Sequence, residues 1–339
     1  MLLTEKGRLN VHKVIDLFAG IGGIRLGFES VFDTETVFVS EWDKSAQKTY
    51  NANFVTPSKI QGDITLVPEE SIPEFDICLA GFPCQAFSQA GKRRGFEDTY
   101  KGRSRGTLFA EVVRICEYRR PQVIFCENVK GLVSHDKGRT LETILGAFRE
   151  IGYSVFWKVL NSKDFGVPQN RERIYIVCFR KDLAIEEFTF PVGVELKQTI
   201  RDILDPAPIP SRYYLSSTYL DSLKAHKERH AAKGNGFGYI VRDLNGISGA
   251  CACGGMGREQ NLVCDPREHS LIPTTHIQGE INTEDIRKMT PREWARLQGF
   301  PESYILENSD TQLYKQLGNT VTVPVISAIA GAIATTLSL

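Results

Sequence analysis

The feature that most constrains this chain is a repeated alternation of short β-branched runs and amphipathic stretches across residues 11–180. VIDLFAG precedes IRLGFESVF, TVFVSEWD precedes KSAQKTYNANF, FDICLAGFP is followed by a loop and TLFAEVVRICEYRR, and QVIFCENVK precedes LETILGAFREIG. Strand, turn and helix in this rhythm predict an α/β fold with a doubly wound, mostly parallel sheet. SVFWKVLNS and RIYIVCFR supply further strands. From about Pro191 the sequence becomes Pro-rich and Gly-rich, and no helix of usable length is expected there. Helical periodicity resumes at TPREWARLQGF, where Thr290 and Glu293 have the spacing of a capping box. The organisation expected is a first domain of residues 1–190 completed by 311–339, and a smaller irregular or β domain with its hinge over 191–310.

With 339 residues a large apolar core is available, and 41 Lys plus Arg balance 41 Asp plus Glu. No global field then draws the protein to a polyanion, so nucleic-acid binding would have to be local. The eight cysteines include no CxxC pair and no His companions at metal spacing. They read as reduced thiols of a cytoplasmic protein, with no metal expected. The N-terminal MLLTEKGRLNVHK lacks an apolar run ahead of its charges and is not expected to be a signal peptide. The uncharged tail from Gln316 carries Asn319, Pro324 and many Thr and Ser, so it is expected to be a buried strand-edge and helix segment rather than a membrane span.

The first strand runs into Asp16-Leu17-Phe18-Ala19-Gly20-Ile21-Gly22-Gly23, a glycine-rich turn where doubly wound sheets bind nucleotides. The dinucleotide fingerprint requires a third glycine where Arg25 stands, which favours an adenosyl ligand without phosphates over NAD. Glu41 and Trp42 end the second strand, a carboxylate suited to ribose hydroxyls beside an indole face suited to adenine. Asp63 could accept from an adenine amino group. Singly, each has an ordinary reading as a solvated acid or a core aromatic; together, at successive strand ends, they suggest a site.

The next strand leads into Gly81-Phe82-Pro83-Cys84-Gln85. The loop after Cys84 carries Lys92, Arg93, Arg94, Lys101, Arg103 and Arg105 against Glu97 and Asp98, a local field that lowers a thiol pKa and attracts phosphates. Glu127-Asn128 ends a neighbouring strand. Gln169-Asn170-Arg171-Glu172-Arg173 opens another, with Arg171 and Arg173 on one face at period two; for Arg171 alone an exposed charge ladder is the favoured reading.

The ordered set DLFAGIGG, EW, GDI, GFPCQAFS, RGTLF, ENV, QNRER, TPREWARLQGFP and GNTVTVPV resembles the C5-cytosine DNA methyltransferases over nearly the whole chain, and within them the bacterial Hha-type enzymes of restriction-modification systems. The resemblance implies an S-adenosylmethionine-dependent sheet with a target-recognition domain. It implies a monomer acting on double-stranded DNA, with no membrane partner, and leaves room for a cognate endonuclease as functional partner. Cys84 would be the nucleophile, with Glu127, Arg173, Arg171 and Gln169 as catalytic companions. Phe18, Gly20, Ile21, Gly22, Gly23, Glu41, Trp42, Asp63, Ile64, Pro83, Leu108, Asn319 and Val321 would hold the cofactor. Ser88, Lys92, Arg93, Arg94, Arg105, Phe237, Gly254 and Gly255 would meet DNA, with residues 83–105 as a lid. Asn319 could equally be an ordinary helix N-cap, and Phe237 a core aromatic. The stretch Ala252–Gly257 lacks the tyrosine that Hha-type enzymes place before their glycines, so a different short site is expected. Three rivals stay open: a tRNA cytosine methyltransferase, a non-enzymatic relative, and an NAD oxidoreductase.

Overall fold

A computed structural model describes residues 11–56, 59–83, 99–100, 103–104, 108–267, 269–270 and 279–338. The chain divides into two compact units, residues 1–160, 173–192 and 325–339 in one, and residues 161–172 with 193–324 in the other.

The first unit carries a six-stranded sheet. Its elements in chain order are β1 (His12–Leu17), α1 (Gly23–Glu29), β2 (Thr34–Ser40), α2 (Lys44–Asn53), β3 (Ile77–Ala80), α3 (Leu108–Arg119), β4 (Val123–Val129), α4 (Arg139–Glu150), β5 (Tyr153–Asn161) and β6 (Glu172–Arg180). The strand order is β2-β1-β3-β4-β6-β5. β2, β1, β3 and β4 run parallel, and β6 pairs antiparallel with β4. The continuous apolar runs of β3 and β4 follow from burial of a central strand on both faces. Helix α4 buries Leu141, Ile144, Leu145 and Phe148, one stripe at helical spacing, against the sheet core. The order reverses at β1, so the loops after β1 and β3 open at the switch point where doubly wound sheets take their ligands.

The second unit corrects one expectation directly: Ser217–Ala231 is a 15-residue helix, α5, capped by the Ser216 side chain. Its cap and buried Leu220 and Leu223 lie outside the Gly-rich and Pro-rich runs that dominate the region's composition. A three-stranded sheet places Val241–Arg242 parallel to Leu262–Cys264, which pairs antiparallel with Ile286–Lys288. Helix α6 (Pro291–Leu297) starts with the expected capping box: the Thr290 hydroxyl accepts from Glu293 N at 3.1 Å, and the Glu293 carboxylate accepts from Thr290 N at 2.7 Å.

Two expected boundaries also move. Residues 161–172 and 311–324 belong to the second unit, because Gln169 and Arg171 bond to Cys251, Leu297, Gln298, Gly318 and Thr320 there. The tail is two helices with no strand among its described residues, α7 (Asp310–Asn319) and α8 (Val323–Thr336). By length and composition Asp310–Thr336 could cross a membrane. It is interrupted at Thr320–Thr322, where Pro324, lacking an N–H, can begin α8 but not continue α7.

Candidate active site

The β1–α1 turn is left-handed at Phe18, Gly20 and Gly22, with φ of 56°, 55° and 79°. At Gly22 a Cβ would lie 2.3 Å from the Phe54 ring, so both conformation and space demand glycine. The Glu41 carboxylate braces this turn, accepting from Gly20 N at 2.7 Å and from Asp43 N at 2.6 Å. Beside it Trp42 is 52% exposed, an indole face open to a ligand. Gln61 pairs with the end of β2 and carries Gly62-Asp63 to the same edge. The Asp63 carboxylate accepts from Thr65 N at 3.1 Å and from the Thr65 hydroxyl at 2.6 Å, so it caps a short helical turn. Gly23 begins α1. Ile21 and Ile64 are buried, and Leu108, opening α3, packs against the core; a ligand contact from Ile21 or Ile64 would have to be main chain.

Arg25, standing where a nucleotide fold would have its third glycine, has a structural role. It donates to the Tyr50 hydroxyl at 3.2 Å and lies over the Phe54 ring, joining α1 to α2. Tyr50 in turn donates to Asp16 Oδ2 at 3.1 Å. Asp16 is fully buried, and burial pushes its pKa up to about 7, against the opposing pull of Arg25 and Tyr50. Sequence reasoning gave Asp16 and Tyr50 no role; the signal available was an aspartate following the apolar run Val14-Ile15 inside a strand.

At the other side of the switch point, Glu127 of β4 and Arg173 of β6 form an ion pair at 3.2 Å, with side chains 11% and 17% exposed. The antiparallel register sets Glu127 opposite Tyr175 and Val129 opposite Arg173, so the pair meets diagonally on one face. The next residue, Asn128, donates from Nδ2 to Phe82 O at 3.2 Å, tying the end of β4 to the loop after β3. Half-buried Pro83 ends that described segment. Cys84, Ser88, Lys92, Arg93, Arg94 and Arg105 lie outside the described residues, as does most of the expected lid.

Gln169 and Arg171 stand in a different setting from the catalytic grouping expected of them. Arg171 is 2% exposed, which also overturns the exposed-ladder reading. Its guanidinium donates to Cys251 O at 2.7 Å, Gly318 O at 3.2 Å and Thr320 O at 2.5 Å. Gln169 donates to Leu297 O at 2.7 Å and accepts from Cys251 N at 2.9 Å. Gln298, which sequence reasoning did not single out, joins this group; nothing in a helix-end glutamine announces it. Asn319 is exposed and ends α7, so the N-cap reading fails, while Val321 is buried. Phe237 is 46% exposed and meets the His226 and His230 rings edge-on, which sets aside the core-aromatic reading. Gly254 and Gly255 are exposed in a turn, Gly255 at φ 58°.

A doubly wound sheet with a glycine turn and a braced carboxylate on one side of its switch point, and a Glu–Arg pair on the other, defines an α/β ligand site. Comparison with known families gives the class: residues 12–335 match the model of the C-5 cytosine-specific DNA methylases. The Type II methyltransferase M.HpaII of Haemophilus parainfluenzae is 55% identical over 318 residues, covering 93% of this chain and 87% of that protein. The Type II methyltransferase M.HhaI of Haemophilus parahaemolyticus is 40% identical over 345 residues, covering 100% and 99%. The likeness to the Hha type is therefore real, but it is exceeded by the likeness to M.HpaII. A solved structure of the Schizosaccharomyces pombe Dnmt2 methyltransferase shares the fold at a TM-score of 0.71 with 21% identity, covering 97% of this chain and 100% of its own. The chain belongs to the C-5 cytosine-specific DNA methylase family and is a DNA (cytosine-5-)-methyltransferase.

Proposed function

We propose that the protein transfers a methyl group from S-adenosylmethionine to C5 of a cytosine flipped out of duplex DNA, through a covalent adduct of Cys84 with C6. The observation that carries this is the Glu127–Arg173 pair on the strand edge that Asn128 ties to the loop leading to Cys84. The left-handed turn, the braced Glu41 and the exposed Trp42 fit an adenosyl ligand without phosphates. Phe18, Gly20, Gly22, Gly23, Glu41 and Trp42 would hold it, with Asp63, Ile64, Pro83, Leu108, Asn319 and Val321 carried over from the resemblance. When bound, it supplies an electrophilic methyl group.

Cytosine C5 is too electron-poor to take that methyl unaided. Addition of the Cys84 thiolate at C6 places electron density on C5. Glu127 delivers a proton to N3 as the adduct forms and accepts from the amino group of the base, stabilising the adduct, and Arg173 holds O2 while keeping Glu127 in place. C5 takes the methyl group as its bond to the sulfonium breaks, leaving S-adenosylhomocysteine; a base then takes the C5 proton, and the electrons of that bond expel the Cys84 thiolate and restore the ring. Flipping costs a few kcal/mol, offset by contacts from the basic loop Lys92, Arg93, Arg94 and Arg105 and from Ser88, Phe237, Gly254 and Gly255. The biological role that fits is protection of host DNA beside a cognate endonuclease.

DNA containing 5-fluorocytosine tests the chemistry, because fluorine cannot leave as a proton does. With wild-type protein and cofactor a denaturation-resistant complex is expected, and with Cys84→Ser neither adduct nor methyl transfer. Methyl transfer that persists in Cys84→Ser removes the thiol from the reaction. Bisulfite sequencing of DNA from expressing cells reports the site.

A further inference from the structure

The second unit joins two segments that the proposed reaction uses for different ligands. One is the loop from Cys251 through Gly257, which would meet DNA; the other is the α7–α8 turn, Gly318–Val321, which would meet the cofactor. Arg171 donates to Cys251 O in the first and to Gly318 O and Thr320 O in the second. Gln169 holds Cys251 N through its side-chain oxygen and reaches Gln298 Oε1 at 3.1 Å through its nitrogen. Gln298 then donates to Leu317 O at 2.8 Å and accepts from the Thr322 hydroxyl at 2.9 Å, so it clamps the same turn from both ends. All three side chains are 2% exposed or less. The two backbones also touch: a Cβ on Gly318 would lie 2.5 Å from Cys253 N and 2.9 Å from the Ala252 carbonyl carbon.

A guanidinium can serve three carbonyls at once because its donors are fixed in a plane, and buried carbonyls left unpaired are costly. That geometry serves relative position more than chemistry, since the donors used here point at main-chain oxygens.

We propose that Arg171, Gln169 and Gln298 form a latch that makes the recognition loop and the cofactor turn one rigid piece, so that Arg171 is a positioning residue for methyl transfer and does not touch the base. The proposal rests on the assignment of those two segments to DNA and to cofactor. It excludes a latch that acts on one ligand only.

The test is steady-state kinetics of tritiated methyl transfer to unmethylated plasmid DNA with S-adenosylmethionine, comparing wild type, Arg171→Lys, Gly318→Ala and their double variant. Lysine keeps the charge but cannot hold the three carbonyls together. Loss of a charged hydrogen bond is worth ~1.5–3 kcal/mol, so Arg171→Lys is expected to raise KM for both cofactor and DNA by roughly 10-fold or more, with kcat nearly unchanged. Gly318→Ala should do the same by wedging the two backbones apart. Because both variants break one junction, the double variant should be far less impaired than the product of the single effects. A fall in kcat with both KM values unmoved would assign Arg171 to the chemistry and overturn the latch. A rise in one KM alone, or multiplicative effects in the double variant, would overturn it too. If Arg171→Lys does not fold, Gly318→Ala and Gln298→Ala carry the same paired-KM expectation. Wild-type protein that methylates no cytosine in duplex DNA would instead defeat the functional reading, a result distinct from any of these.

Discussion

In the sheet unit the centre is filled by Ile124, Ile176, Ile144 and Phe148, all fully buried, and the polar groups stand at the strand ends. In the second unit, Arg287 is itself fully buried. It donates to both oxygens of Glu293 at 2.8 Å and to Asp265 at 2.7 Å. Burial alone would weaken that guanidinium's hold on its proton, but the bonds and charges of Glu293 and Asp265 more than reverse the effect and raise its pKa. Asp265 is correspondingly held down to about 2 by Arg267 and Arg287, although burial opposes this. The sheet unit is held together mainly by area removed from water, which tolerates many apolar sequences; the second unit adds to its own apolar clusters a dependence on particular charged partners in particular places.

The largest effect that separates the two is expected at Arg287. Arg287→Met leaves buried Glu293 without its cation and Asp265 with Arg267 alone, and should cost ~3–5 kcal/mol, read from urea unfolding. Phe148→Ala should cost a similar ~3–5 kcal/mol by opening a cavity. The conservative exchanges differ: Phe148→Leu should recover most of the loss, whereas Arg287→Lys should recover little, because an ammonium cannot span both partners. Equal recovery at the two positions would break the comparison.

Among the buried polar groups of the sheet unit is the carboxylate Asp16, and it gives a pH signature. Its folded pKa of about 7 lies above the ordinary 3.8, so the folded state binds the proton more tightly than the unfolded chain. Its contribution therefore favours folding most at low pH, declines as pH rises from about 4 to 7, and is constant above. Over that range the difference amounts to about 4 kcal/mol. Asp16→Asn cannot ionise, so its thermal stability should fall less with pH than that of wild type across this window. Parallel pH profiles would show that Asp16 is already ionised when buried.

A smaller effect is expected where the second unit does follow a local rule. Thr290→Ala removes the α6 cap, together with a bond from the Thr290 hydroxyl to Asp205 at 2.5 Å, and should cost about 1 kcal/mol, seen as a lowered Tm. Thr290→Ser should restore it. No change in Tm would mean that Glu293, through the main-chain N of residue 290 and Arg287, fixes the helix start without the hydroxyl.

The contrast also explains what could be read from the sequence. β1 to β4 and their helices were legible because burial on both faces of a sheet and along one helical stripe writes periodicity into the chain. The capping box at Thr290 and Glu293 was legible for the same local reason. The role of Arg171 was not, because its partners are carbonyls of Cys251, Gly318 and Thr320, and a carbonyl carries no side-chain identity. Arg173, two residues on, was legible only because its partner Glu127 is itself a marked residue in a motif. Helix α5 was missed because its buried residues are few and the glycines and prolines around it dominated the composition.

The smallest effect distinguishes a ligand-facing group from a structural one within the sheet unit. Trp42 is half exposed, so its removal takes little apolar area out of the core, whereas Glu41 beside it holds the main-chain amide of Gly20 in the turn and that of Asp43 at the start of α2. If the indole is a face for the adenine ring, Trp42→Ala loses a stacking contact worth ~0.5–1.5 kcal/mol, a rise in KM for S-adenosylmethionine of roughly 2- to 12-fold. KM for DNA and Tm should stay put, because nothing else described depends on that ring. Glu41→Ala differs in kind: it should raise the cofactor KM and lower Tm together, since the turn loses its brace. Trp42→Phe should recover most of the affinity, as a smaller aromatic face still stacks. A Tm loss in Trp42→Ala with the cofactor KM unmoved would make the indole a packing residue, and the adenosyl site would then rest on the turn and Glu41 alone.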